Sequence, residues 1–126
     1  MIHHLSIGVS DLARSAAFYD AVLGALGHGR HMEKPGTVSW RPADGGAVIW
    51  INQRDGLTTT PDNGNHDAFR AADNDAVDRF YAAALAAGAG DDGLPGFSPE
   101  YRDTYYGALV LDPVGHKIED VHMPVT

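Results

Sequence analysis

The chain has no cysteine. That excludes disulfides, a thiolate metal site and a cysteine nucleophile, and it fits a reducing cytoplasm. Any metal would have to rely on histidine and carboxylate. Basic residues are scarce, 9 Lys and Arg against 17 Asp and Glu, for a net charge of −8. With no basic cluster and no RNA-binding aromatic motif, nucleic acid is not an expected partner. No apolar run approaches the roughly 20 residues needed to span a bilayer, so no membrane partner is expected either. The first residues do not read as a signal peptide, because His3 and His4 interrupt any apolar region and a basic start is missing. What remains is a chain of 126 residues with the content of one globular domain, or of two half-domains sharing a core.

What is present is organised around Ile2–Asp11. The run alternates, which predicts a strand with two faces. Leu5, Ile7 and Val9 share one face, and His4, Ser6 and Gly8 share the other. Asp11 stands at the N-cap of a helix beginning at Leu12. The plan returns 62 residues later: His66 follows His4, Asp73 follows Asp11, Phe80 follows Phe18 and Tyr81 follows Tyr19. Four matched pairs at one offset predict two copies of a single supersecondary unit, each opening with a histidine-bearing strand.

The first unit, about 1–54, reads as β-α-β-β-β. Its helix is predicted over Leu12–Leu23, with Gly24 as its stop. A weak, glycine-rich strand follows over 26–32, then a strand at Thr37–Arg41, a turn at Asp44–Gly45–Gly46, and a strong strand at 47–53. Residues 55–64 form the connection. The second unit, about 65–126, opens with the His66 strand. Its helix is predicted over Asp75–Ala87, ended by Gly88. Residues 91–103 carry Gly93, Pro95, Gly96 and Pro99, and predict a long loop with at most a short strand, a candidate lid. A strand over Tyr105–Leu111, a tight turn at Asp112–Gly115 and a strand over Lys117–Met123 close the unit. The fold class is α+β, two βαβββ units around a cleft.

Strand alternation then sorts the polar residues. His4 points away from its helix. Phe69 should face its helix, which turns His66 to the concave side, and Ile118 belongs to the core, which turns Glu119 the other way. Two imidazoles and one carboxylate from three strands suit a divalent metal of the iron, manganese or zinc kind. Against this stand the ordinary readings of a lone strand histidine as a surface residue and of Glu119 as solvated.

The chain resembles the vicinal oxygen chelate superfamily, the group of glyoxalase I, extradiol dioxygenases, and fosfomycin and bleomycin resistance proteins. The stretches that carry the resemblance are Ile2–Asp11 with Phe18–Tyr19 and Leu23–Gly24, then His66–Phe69, then Asp112–Glu119. It implies paired βαβββ units curling into a mixed sheet around a metal-binding cleft, with His4, His66 and Glu119 as the ligands of iron, manganese, nickel or zinc. It also implies a homodimer. Where glyoxalase I enzymes carry a fourth ligand, a glutamate, this chain has Trp50, whose indole can neither ligate nor accept a proton. The expected activity is therefore that of a small metal-dependent enzyme acting on a small molecule with adjacent oxygens, either a lyase or isomerase or a ring-cleaving dioxygenase. The alternative is a metal-free protein that sequesters a drug-like ligand, as bleomycin resistance proteins do.

Trp50 is expected to line the cleft, since it is the symmetry mate of Glu119. Tyr105 and Tyr106, the other candidates for substrate contact, fall on opposite faces of one strand, so one should face the cleft and the other the helix. His122 is a further candidate by location. His116 reads as a surface turn residue, and His28 and His31 as exposed. Arg102 and Lys117 could attract an anionic substrate or be merely solvated. Asp11, Asp73 and Asp75 are helix-start residues.

Overall fold

A computed structural model describes residues 1–43, 45–60 and 63–124. Two alternating units are visible in it. In the first, β1 (His4–Val9) leads into α1 (Leu12–Ala25), β2 (Gly29–Lys34), β3 (Thr37–Arg41) and β4 (Val48–Gln53). In the second, β5 (Asp67–Arg70) leads into α2 (Asn74–Ala86), β6 (Gly90–Phe97), β7 (Tyr106–Leu111) and β8 (Lys117–His122). Each unit forms a four-stranded mixed sheet, in the orders β1-β4-β3-β2 and β5-β8-β7-β6. The outer pairs β1/β4 and β5/β8 are parallel and the rest antiparallel. The repeat extends to register. Trp50 pairs with Ser6, and Glu119 pairs with Ala68, which stands 62 residues after Ser6. Trp50 and Glu119 are thus equivalent positions.

Alternation sets the burial. Ile7 and Val9 are buried while His4 and Ser6 are exposed. Both helices start at aspartate caps: Asp11 accepts the Arg14 N–H at 3.2 Å and Asp73 accepts the Ala76 N–H at 2.7 Å. α1 and α2 pack on each other, and the main core draws on both units. Phe18, Tyr19, Leu23, Trp40 and Ile51 from the first meet Phe80, Val110 and Ile118 from the second.

Buried polar contacts fasten one unit to the other. The Tyr19 hydroxyl donates to Asp112 Oδ2 at 2.6 Å. Asp112 Oδ1 accepts the N–H groups of Val114, Gly115 and His116 at 2.8–3.0 Å, which shapes the turn before β8. His116 is not the surface residue expected. It is half-buried, with Nε2 2.7 Å from the Gly8 carbonyl oxygen on β1. A carbonyl only accepts, so Nε2 is the donor.

Two other expectations change. Gly24 lies inside α1, and the residue that ends the turn is Gly27, at φ +86°. Residues 91–103, expected as a long loop with at most a short strand, give up their first half to the eight-residue β6. That strand is the edge of its sheet, where Pro95 needs no ladder hydrogen bond, and its register shifts twice, so period two is broken. In the turn expected at Asp44–Gly46, Asp44 lies outside the described residues, while Gly45 has φ +81°.

Candidate active site

The open face of the second sheet carries a cavity of about 710 Å³. Glu119 on β8, Tyr105 just before β7 and His66 just before β5 line it together with Phe97, Tyr101 and Arg102. Period two explains the grouping. Lys117 and Glu119 share a face of β8, and the hairpin register sets Leu109 opposite Glu119 and Gly107 opposite Val121. Tyr105 lies one step beyond Gly107 on that same face.

Glu119 is only 7% exposed. Its Oε2 accepts the Tyr105 hydroxyl at 2.5 Å, and its Oε1 lies 3.2 Å from His66 Nε2. A 2.5 Å contact is in the range of a charge-assisted phenol–carboxylate hydrogen bond. Burial, reinforced by the neighbouring Glu119, holds the Tyr105 phenol well above its ordinary ionisation range. Tyr105 is therefore the neutral donor and Glu119 the acceptor. Lys117 is paired with Asp92 at the cavity's edge, Nζ to Oδ2 at 3.2 Å.

The donor set can be tested against a metal. Bonds of about 2.0–2.2 Å, at angles between octahedral and tetrahedral, place two ligand atoms of one ion about 2.8–3.6 Å apart. The His66–Glu119 spacing of 3.2 Å falls in that interval, and one imidazole with one carboxylate is chemistry that iron, manganese, nickel and zinc accept. A third protein donor is missing from the group. Among the described residues, no three His, Asp or Glu side chains lie close enough to hold an ion.

His4 stands elsewhere. It is exposed on the open face of the first sheet, with Nδ1 2.8 Å from His3 Nδ1. Trp50 shares that face, half-buried between Ser6 and Ser39, and is not part of the cavity wall. Of the two tyrosines, Tyr105 faces the cavity. Tyr106 turns to the helix side, where its hydroxyl donates to Asp78 of α2 at 2.7 Å. His122 lies on that side too, its Nδ1 buried without a hydrogen-bond partner. His31 is exposed; His28 is half-buried, its Nδ1 accepting the Ala43 N–H at 3.3 Å.

Two features escaped the sequence reading. One is the Tyr105–Glu119 hydrogen bond, which could have been found by counting back from the Asp112–Gly115 turn along both strands of the hairpin. The other is Asp120, fully buried on the helix face of β8 with neither carboxylate oxygen in a well-formed hydrogen bond. Burial, with a smaller push from Glu119, raises its carboxyl to about 7.

Among the described residues, no helix is long and apolar enough to cross a membrane. Comparison with known proteins agrees with the architecture. Residues 1–119 match the family model of the Glyoxalase/Bleomycin resistance protein/Dioxygenase superfamily. A glyoxalase/bleomycin resistance protein from Albidiferax ferrireducens T118 is 34% identical, with a TM-score of 0.85 over 98% of this chain and 99% of that one. A glyoxalase/bleomycin resistance protein/dioxygenase family enzyme from Burkholderia phytofirmans PsJN shares the fold at 20% identity, with a TM-score of 0.73 over 96% and 97% of the two chains. So does the fosfomycin resistance protein FosX from Mesorhizobium loti, at 18% identity and a TM-score of 0.73 over 99% and 93%. No curated protein matches the sequence. The chain belongs to the glyoxalase/bleomycin resistance protein/dioxygenase superfamily.

Proposed function

We propose that this chain is one subunit of a small, divalent-metal-dependent enzyme acting on a small molecule that presents two adjacent oxygens. The observation that carries this reading is the 3.2 Å spacing of His66 Nε2 and Glu119 Oε1 in the cavity of the second sheet. In it, His66 and Glu119 are two protein ligands and His4 is the third. His4 is on the other sheet, so a second copy of the chain supplies it, in a homodimer that sets the first sheet of one protomer against the second sheet of its partner. The exposed side chains at both faces support such a contact: Ile2 beside His4, and Leu94, Phe97 and Tyr101 around the cavity.

When bound, the metal supplies a Lewis acid for an oxyanion such as an enolate or a catecholate. The chain's own residues do the rest. The aromatic side chains of Tyr101 and Tyr105 line the cavity and give a planar substrate a surface to pack on. Arg102 lines the same cavity and offers a cation to an anionic substituent. Trp50, at the position equivalent to Glu119, has no ligand atom, so the site has three protein ligands and open positions for both substrate oxygens. That weighs against glyoxalase I chemistry with its fourth carboxylate. It leaves lyase or isomerase chemistry and ring-cleaving oxygenation as the reaction classes. The absence of cysteine fits work in the cytoplasm.

A second reading has its own support. The same aromatic wall would suit a metal-free protein that sequesters a drug-like ligand. Metal content separates the two. Untagged protein purified without chelator is expected to hold about one iron, manganese, nickel or zinc per site, and Glu119→Ala to hold none. Metal-free protein that gains no stability from any of these ions, yet binds aromatic ligands, would favour sequestration.

A further inference from the structure

The two oxygens of Glu119 are not equivalent. Oε1 lies beside His66 Nε2 at 3.2 Å, whereas Oε2 is taken by the Tyr105 hydroxyl at 2.5 Å. The surroundings keep it so. The Tyr105 ring is braced by Tyr101, with centroids 5.1 Å apart. Beneath it, Gly107 leaves the space in which the hydroxyl and the carboxylate meet. A Cβ there would lie 3.0 Å from Glu119 Oε2 and 3.3 Å from Tyr105 Cε1. A side chain at 107 would push on both partners of the hydrogen bond.

We infer that Tyr105 is a positioning residue: its hydroxyl holds one oxygen of Glu119 so that the carboxylate presents only the other, beside His66, to a divalent metal. This rests on the metal reading above and adds to it. A carboxylate with one oxygen occupied binds through a single atom, which leaves one more coordination position free than a bidentate carboxylate would. Two adjacent substrate oxygens need such room. The tyrosine expected to touch substrate thus spends its hydroxyl on a ligand, and only its ring remains for the substrate.

The test compares wild-type protein, Tyr105→Phe and Gly107→Ala, all stripped of metal and checked for folding by circular dichroism. Two readouts are taken: Zn²⁺ affinity by competition with a chromophoric chelator, and the visible spectrum of the Co²⁺ form. Loss of a hydrogen-bonding partner of a metal ligand typically weakens binding about 10- to 100-fold, and that is the expected result for Tyr105→Phe at unchanged stoichiometry. The Co²⁺ spectrum should shift as Glu119 gains freedom to bind through both oxygens, a change that a loss of fold stability alone would not produce. Gly107→Ala, which keeps the hydroxyl but crowds it, should shift the spectrum as well. Wild-type affinity with an unaltered Co²⁺ spectrum in both variants would overturn the inference while leaving the metal reading intact. If wild-type protein binds neither ion, the metal reading fails and the role of Tyr105 falls with it.

Discussion

Asp120 stands among residues that have every reason to be apolar. Ala108 faces it across the hairpin and Phe69 lies beside it on β5, yet it is fully buried. Its carboxyl titrates near 7 in the fold against an ordinary 3.8. Between those values the unfolded chain has lost the proton and the folded chain keeps it. Stability therefore falls as pH rises through that window, by at most about 1.4 kcal/mol per unit, and levels off above it. In metal-stripped protein, Asp120→Asn is expected to be more stable than wild type near pH 8, with the advantage shrinking towards pH 5. Urea denaturation of both proteins across this range checks it; a constant difference at every pH would remove the carboxyl as the cause. Tyr19 carries the opposite kind of buried polar group, one fully partnered through Asp112. Tyr19→Phe strands a buried acceptor oxygen, and a loss of about 1–3 kcal/mol is expected in the same assay. A change within experimental error would mean that water takes over the bond.

Elements begin and end where short-range chemistry dictates, and the exceptions have local causes. Gly24 resembles a stop because it follows an apolar face, but α1 continues to Ala25 and the left-handed residue is Gly27. The two glycines should respond oppositely to alanine. Nothing lies within 4 Å of a Cβ placed at Gly24, and the backbone there is helical, so Gly24→Ala should stabilise by about 0.5 kcal/mol. Gly27→Ala meets no clash either, yet φ of +86° should cost about 1 kcal/mol or more. Thermal unfolding of the two variants decides it, and equal shifts in one direction would put the helix end elsewhere. β6 was hidden for a different reason. Its glycines and Pro95 are poor strand formers in isolation, and the hydrogen bonds that hold them come from β7.

The arrangement of the whole molecule bears on where the third ligand of the proposed metal site would come from. His4 is on one sheet, the His66–Glu119 pair on the other, and no third donor joins the pair among the described residues. If a second copy supplies His4, two broken variants should repair each other. A His4→Ala chain paired with a Glu119→Ala chain forms one site with both lesions and one with none. Random pairing of the two then restores about a quarter of wild-type metal binding, as two-fold symmetry requires. Each variant alone should bind none. No recovery after co-refolding, with dimers present, would mean that each chain builds its site alone.

Much of this protein was legible along the chain because the responsible interactions are local or periodic. Period two divided the strands into faces and separated Tyr105 from Tyr106. Asp11 and Asp73 marked the helix starts, and the 62-residue repeat exposed two equivalent units. The superfamily was legible for the same reason, since its motifs are short and contiguous. Long-range contacts were another matter. That His116 reaches β1, that Tyr19 anchors Asp112, and that Tyr105 holds Glu119 beside His66 all depend on how turns and sheets bring distant segments together. Alternation gave His4, His66 and Glu119 the same kind of face, but a face has no address. Strand pairing within each unit decided that: β5 and β8 lie side by side, so His66 and Glu119 share a cavity, while β1 carries His4 on the other sheet.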